Sequence, residues 1–323
     1  MKKTILLSNR YTGYPLEIVR KTVPDGFELL MLDEVTQDDL EKKIPAADYL
    51  LASGRLKISR TVLDRASRLK MIQRTGVGLD SLDLDSIKQR GIPLYVNRGI
   101  NAESVAEHAL LLMLAALRKL PVIDCNTKQG IWKKQEQGTQ THELKGKTVG
   151  IIGMGSIAKT LAELLVPFRV KILYFDIIRQ SEDYERTLCM TFAGLDELLS
   201  ESDIVTIHCA LTDETRNLFN RDTFAKMKEG AVLINTARGP VVNAGDLAEA
   251  LRSGRLSFAG IDVHETEPIP DDYPLKKAEN VILTPHIGGV TYESFYQMMH
   301  DAMRNISMFD KGDDRETAKF RYL

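Results

Sequence analysis

The sequence predicts an α/β protein of two doubly wound domains, the second inserted into the first. Three observations carry this. Short apolar runs, many with β-branched residues, alternate with amphipathic or polar stretches along most of the chain. One run, Val149 to Ile152, leads straight into Gly153, Met154 and Gly155, with a helix opening at Ser156. Beyond the last run, Phe295, Met298, Met299, Met303, Ile306 and Phe309 recur at helical spacing, as expected if the chain leaves the inserted domain and returns to the first.

In the first domain the predicted strands are Ile5 to Leu7, Glu28 to Leu32, Tyr49 to Ala52, Met71 to Ile72 and Leu94 to Val96. Between them lie helix candidates such as Gln37 to Lys43, Arg60 to Ala66 and Leu82 to Arg90, the last stopped by Gly91 and Pro93. Asn101 to Leu120 reads as one long helix ended by Pro121, and its apolar stretch Ala109 to Leu117 suits a buried position between domains or subunits. Lys128 to Lys147, with Trp132, reads as an irregular arm. Strands then follow at Val149 to Ile152, Ile172 to Phe175, Ile204 to His208, Val232 to Asn235, Phe258 to Val263 and Val281 to Leu283, with a helix at Asp246 to Arg252 closed by Gly254. The predicted domains are residues 1–99 plus 291–323, discontinuous, and residues 100–290. Lys311 to Lys319 is charged and expected to fray.

Lys plus Arg total 43 against 45 for Asp plus Glu, so no basic excess points to nucleic acid or an anionic membrane; a small metabolite fits better. Cys125, Cys189 and Cys209 are scattered without a CxxC pair, which argues for a reducing compartment, the cytoplasm, and against structural zinc. The apolar N-terminal run stops at Leu7 before Asn9 and Arg10, too short for a signal peptide, and Ala109 to Leu117 is too short to span a bilayer. No HExxH or similar spacing calls for a metal, and His108 and His142 read as helix and loop residues.

The glycine turn has a specific physical use. Without a side chain at Gly155 a pyrophosphate can approach the backbone, where the unpaired N–H groups and dipole of the following helix hold it. Ala158 holds the third small position, and a second strand ends about twenty residues on at Asp176, whose carboxylate suits a ribose 2′-OH and repels a 2′-phosphate. This favours NAD over NADP. Arg179 is the dissenting residue: it could meet a 2′-phosphate or be merely solvated.

Three segments fall at C-terminal strand ends, where open α/β sheets bind ligands: Asn235 to Gly239, Asp262 to Pro268 and Thr284 to Gly289. Acting on a 2-hydroxy acid requires a cation for the carboxylate and C2 oxygen, a base for the hydroxyl proton, and a partner for that base. Arg238, His286 and Glu267 supply these in turn. Each alone has an ordinary structural explanation; their arrival on consecutive strand ends is what argues for chemistry. Ser53 and Arg55, after the third strand, are candidates to touch substrate, although a loop arginine is commonly just solvated.

The wording of these segments, with Gly76 to Asp80, Ser104 to His108 and the glycine turn, resembles the D-isomer-specific 2-hydroxyacid dehydrogenases over nearly the whole chain. The resemblance implies a Rossmann cofactor domain inserted into a smaller flavodoxin-like substrate domain, a homodimer through the cofactor domain, and catalysis by Arg238, Glu267 and His286. The motif and the resemblance together make Gly153, Met154, Gly155, Ser156, Ile157, Asp176, His208, Cys209, Ala210, Thr215, Thr236, Ala237, Arg238, Asp262, His286 and Gly288 the candidate NAD contacts. Ser53, Arg55, Val77, Gly78 and Arg238 are the candidate substrate contacts.

The expected activity is reversible hydride transfer between NAD and C2 of a small D-2-hydroxy or 2-oxo acid of the glyoxylate, hydroxypyruvate, 3-phosphoglycerate or D-lactate type, with domain closure excluding water. The rival is an NAD(H)-sensing protein of corepressor type without metabolic turnover. Formate oxidation is disfavoured, because the resembling formate enzymes carry Gln where Glu267 stands. The sequence departs from the family's usual wording at Ser156, at Ala210, at His264 in place of a common aromatic, and at Pro167 to Arg169 in place of a glycine turn.

Overall fold

The computed structural model describes residues 2–76, 78–313, 318 and 321–323. Its elements begin with β1 (Lys3–Leu7), α1 (Gly13–Thr22), β2 (Phe27–Met31), α2 (Gln37–Lys43), β3 (Tyr49–Ala52), α3 (Arg60–Arg65), β4 (Met71–Arg74), α4 (Leu84–Gln89) and β5 (Leu94–Val96). Next come α5 (Ala102–Leu117), α6 (Leu120–Lys128), α7 (Lys134–Gln137), β6 (Thr148–Ile152), α8 (Ser156–Leu165), β7 (Lys171–Phe175), α9 (Glu182–Thr187) and β8 (Met190–Phe192). The rest are α10 (Leu195–Glu201), β9 (Ile204–Ile207), α11 (Arg221–Lys226), β10 (Ala231–Asn235), α12 (Ala244–Arg252), β11 (Leu256–Ile261), β12 (Val281–Leu283) and α13 (Tyr292–Asp310). The chain divides into two compact units, Met1–Asn101 with Thr291–Leu323, and Ala102–Val290.

The first unit holds a parallel sheet in the order β2-β1-β3-β4-β5. Alternate residues of each strand face opposite ways. Leu6, Leu50, Ile72 and Leu94 pack with Leu40, Val62 and Ile87 of α2, α3 and α4. Ile5, Leu7, Tyr49, Leu51 and Met71 pack with Val19 of α1 and with Met299, Met303 and Ile306 of α13. Burial on both faces explains why the strands read as continuous apolar runs.

A buried amide chain supports the return of α13: Asn305 donates to Gln73 at 3.1 Å, Gln73 to Asn97 at 3.1 Å, and Asn97 to the Met298 carbonyl at 3.0 Å. Most of the expected frayed tail lies outside the described residues; beyond it, the Tyr322 N–H donates to Leu94 O at 2.7 Å.

The second unit holds a seven-stranded parallel sheet, β12-β11-β10-β9-β6-β7-β8. The seventh, β8, is a three-residue edge strand that a sequence reading of six strands passed over. The long helix is also shorter than expected. α5 ends at Leu117, Lys119 turns through a left-handed φ of 50°, and α6 starts with Pro121 in its first turn. Proline opens a helix there instead of ending one, because first-turn N–H groups have no intrahelical acceptor. α5 packs within its own unit: its Leu112 reaches the backbone of β11 so closely that a Cβ at Gly260 would lie 3.0 Å away.

Between α8 and β7 a single 3₁₀ turn, Val166–Phe168, ends on Arg169 at φ 56°. A left-handed conformation costs an L-residue about 1–2 kcal/mol and a glycine almost nothing, although glycine loses more freedom on folding. Arg169→Gly should therefore stabilise the second unit by about 0.5–1 kcal/mol net. Thermal unfolding with and without the substitution checks this; an unchanged or lowered midpoint counts against it.

Candidate active site

β10, β11 and β12 are neighbours in the sheet, and each hands one candidate group to the turn that follows it. After β10, the buried Asn235 side chain accepts the Ala237 N–H and donates to Arg238 O, both at 3.0 Å, which shapes the loop holding Thr236 to Arg238. At Gly239 an added Cβ would sit 2.0 Å from the His264 carbonyl carbon, so only glycine lets this loop lie against the backbone that follows β11. The contact sets Arg238 beside the loop carrying Glu267.

Asp262, next after β11, is 1% exposed. Its carboxylate accepts the Thr284 hydroxyl at 2.6 Å, the Ile287 N–H at 2.9 Å and the Gly288 N–H at 2.8 Å. Its own carbonyl accepts the His286 N–H at 2.8 Å. His108, on α5, lies 3.4 Å from the same carboxylate and 3.1 Å from the Thr284 hydroxyl. Burial pushes the carboxyl up, but His108, Thr284 and the two backbone donors overcome it and hold it at about 2. Asp262 thus moulds the whole turn after β12.

That turn places His286 at φ 57°, a region in which histidine is several-fold enriched over most side chains. Its Nδ1 lies 2.9 Å and 3.1 Å from the two carboxylate oxygens of Glu267. Burial raises Glu267, while hydrogen bonds from His286 and from the His264 N–H lower it further, so the net position is below the usual range. An ionised carboxylate only accepts, so Nδ1 carries the proton in this pair and Nε2 is left for exchange with a ligand. Next to the pair, His264 is itself held at both ring nitrogens: its Nε2 lies 3.0 Å from Thr284 O and its Nδ1 3.2 Å from the Tyr273 hydroxyl. His264 and Thr284 are contributors that sequence reasoning missed; an unexpected histidine at a strand end was the only signal.

The glycine turn lies at the end of β6. Gly153 takes φ 87°, and a Cβ on it would lie 2.6 Å from the Cys209 nitrogen, so the loop after β9 seats directly on it. Gly155 and Ser156 are exposed, Ile157 is half-buried and Met154 buried. A Cβ at Gly155 would meet nothing within 4 Å, and α8 begins there with no side-chain cap. The space and the uncapped N–H groups fit a pyrophosphate. Asp176, after β7, accepts the Met154 N–H at 2.5 Å and the Ile178 N–H at 3.0 Å, which aims its carboxylate across the turn. Arg179 is paired with Glu185 and not with Asp176.

Two buried polar atoms at the same sheet edge have no hydrogen-bond partner among the described residues, Nδ1 of His208 and Oγ1 of Thr236, as a site for a polar ligand would leave them. Burial holds His208 down at about 4, hence neutral, and pushes the Cys209 thiol up to about 11, hence protonated. Ala210 and Thr215 belong to a loop closed on itself, with the Thr215 hydroxyl donating to Ala210 O at 2.7 Å. Ala237, after β10, is buried.

In the first unit, Ser53 is buried and its hydroxyl is bound to Ser8, 3.2 Å from the Ser8 carbonyl, which leaves it poorly placed to meet a substrate. Arg55 is exposed. Val77 lies outside the described residues. Arg74, which the sequence did not single out, donates to Gly78 O at 2.8 Å and to Ala52 O at 3.0 Å, knitting together the loops that follow β3 and β4.

The NAD-binding-domain model of the D-isomer specific 2-hydroxyacid dehydrogenases matches residues 110–288. The chain is also 40% identical over 296 residues, 89% of its length and 87% of the relative's, to a glyoxylate reductase of Thermofilum pendens. The chain belongs to the D-isomer-specific 2-hydroxyacid dehydrogenase family. A hydroxypyruvate reductase of Thermotoga maritima is 37% identical over 264 residues, 81% of this chain and 84% of that one. Among solved structures, an NAD-dependent formate dehydrogenase of Staphylococcus aureus in complex with NAD matches with a TM-score of 0.83 at 31% identity, covering 97% of this chain and 96% of that one.

This D-2-hydroxyacid dehydrogenase is an NAD-dependent oxidoreductase that moves a hydride between nicotinamide and C2 of a small D-2-hydroxy or 2-oxo acid. The corepressor-type alternative gains no support from these relatives. No helix among the described residues is long and apolar enough to cross a membrane.

Asp262 gives the dehydrogenase an acid-sensitive point. Because its folded pKa of about 2 lies below the usual carboxylate value, its stabilising contribution is complete above about pH 4 and lost as the pH falls through about 2. Asp262→Asn should cost about 2 kcal/mol at pH 7, with the gap from wild type closing between about pH 4 and 2. Denaturant unfolding across that range tests it, and a gap independent of pH would contradict the assignment.

Proposed function

We propose that Arg238, Glu267 and His286 form the catalytic centre and that the substrate is a small 2-oxo acid of the glyoxylate or hydroxypyruvate type, with 3-phosphoglycerate and D-lactate types next in line. The observation that carries the centre is the His286–Glu267 pair, built by two adjacent strand ends and shaped by Asp262. The names of the glyoxylate and hydroxypyruvate reductases support the substrate class.

NAD when bound supplies the hydride donor and acceptor. Arg238 holds the substrate carboxylate and draws charge from the C2 oxygen. His286 exchanges the hydroxyl proton at Nε2, and Glu267 balances the imidazolium through Nδ1. Gly153, Met154, Gly155, Ser156 and Ile157 would hold the pyrophosphate, Asp176 the ribose, and Thr236, Asp262 and Gly288 would hold the nicotinamide end. Residues 100–290 act as the NAD-binding domain, and residues 1–99 plus 291–323 as the substrate-binding domain.

The same reading extends to assembly. α6 buries none of its residues, Leu111 and Leu120 are 54% and 51% exposed, and Trp132 is 77% exposed. Apolar surface of that extent on α5, α6 and the segment after them suits a second copy of the chain, hence a homodimer, and the free, scattered cysteines suit the cytoplasm. Sedimentation should give a dimer that Trp132→Glu weakens, and a monomer at all concentrations would contradict it.

For the reaction, NADH oxidation with glyoxylate, hydroxypyruvate, pyruvate and 3-phosphohydroxypyruvate ranks the substrates. With the preferred acid, His286→Gln should lose about 10² to 10⁴ of kcat while NADH still binds. Glu267→Gln removes the anion that favours a protonated partner, so its reductive kcat/KM should fall off at a lower pH than in wild type. Full activity in His286→Gln would sink the centre; an unmoved profile would remove Glu267 from it.

A further inference from the structure

Arg179 stands three positions beyond Asp176, on the loop that leaves β7. An arginine so placed is what a 2′-phosphate requires of a dinucleotide site. In this fold the arginine is turned to another task. Its Nε and Nη2 make two parallel hydrogen bonds of 2.9 Å to the two oxygens of Glu185, and its guanidinium lies 5.7 Å from the Phe192 ring. The fork geometry is the strong form of the interaction.

Glu185 is itself held from the opposite side. It is 8% exposed and accepts the Tyr174 hydroxyl at 2.6 Å, while the Tyr174 oxygen accepts the Gln180 N–H at 2.9 Å. Arg179 first, and Tyr174 second, keep its carboxyl at about 2, so it is an anion at any physiological pH. The Arg179 side chain is still 56% exposed, so its orientation is set by Glu185 and the Phe192 ring and not by enclosure. Meanwhile both carboxylate oxygens of Asp176 are aimed by the Met154 and Ile178 N–H groups, with no cation of the described residues paired to them.

We propose that Glu185 is a specificity-determining residue for the cofactor: by sequestering Arg179 it withholds the cation that a 2′-phosphate would need. Acting through Arg179, it is a positioning residue. NAD is then selected by two devices on one loop, a carboxylate that repels the 2′-phosphate and an arginine kept away from it. The inference rests on Asp176 as the ribose acceptor.

Direct binding of NADH and of NADPH, measured by calorimetry, separates the two ideas. Asp176→Ala alone tests the ribose reading: it should weaken NADH and narrow the gap to NADPH. In that background Glu185→Gln, which leaves an acceptor for Tyr174 but removes the charge, should tighten NADPH by about tenfold or more and leave NADH within about twofold. Adding Arg179→Ala should abolish the gain. Arg179→Ala in the otherwise unchanged protein, which needs no Glu185 variant to fold, should leave the binding of both cofactors as it was.

A gain shared by NADH, a gain that survives Arg179→Ala, or no gain at all from Glu185→Gln would overturn the role of Glu185 while leaving Asp176 in place. Weaker NADPH binding in the single Arg179→Ala variant would do the same, since the arginine would then already serve the phosphate. An Asp176→Ala protein with unaltered discrimination would remove the ribose reading and the proposal with it.

Discussion

The buried carboxylate of Asp262 is the interaction on which the active site depends. One side chain satisfies two backbone N–H groups and a hydroxyl of the turn after β12, and its own carbonyl takes a third N–H, that of His286. Without it, the buried Gly288 N–H would lose its acceptor, a penalty of about 1–3 kcal/mol, and the part-buried Ile287 N–H and Thr284 hydroxyl would lose theirs. The left-handed backbone of His286 would also lose what holds it. The His286 imidazole is therefore oriented twice, through the main chain by Asp262 and through the ring by Glu267.

Much of this was legible in the sequence, for a physical reason. A parallel strand buried on both faces writes itself as an apolar run, and its C-terminal end is where ligand-binding groups collect. Arg238, Glu267 and His286 could thus be assigned to consecutive strand ends from the sequence alone. β8 escaped because three residues at a sheet edge leave no run to read. α6 escaped because Pro121 marks an end or a beginning equally well until Lys119 is seen to turn left-handed.

The supporting contacts were not legible, because they depend on pairings far apart in the chain or at no regular spacing. His264 gained a purpose only when β12 brought the Thr284 carbonyl to its ring. Ser53 lost much of its promise as a substrate contact when Ser8, on a neighbouring strand end, took its hydroxyl. Arg74 is a strand residue by sequence and a tie between two loops by structure. Arg179 and Glu185 are six positions apart, a spacing at which neither a helix nor a strand brings two side chains into contact.

The amide chain under α13 has a polarity. The Met298 carbonyl can only accept, so Asn97 must present its NH₂ there and its oxygen to Gln73, and Gln73 must in turn present its own oxygen to Asn305. Orientation is thereby dictated from one end to the other. An aspartate at position 97 has nearly the same shape as the asparagine, yet it would set oxygen against oxygen at the helix in a place closed to water. For this trio, the single-atom exchange that looks most conservative is among the least tolerable, whether it arises by mutation or by slow hydrolysis of the amide in an ageing protein.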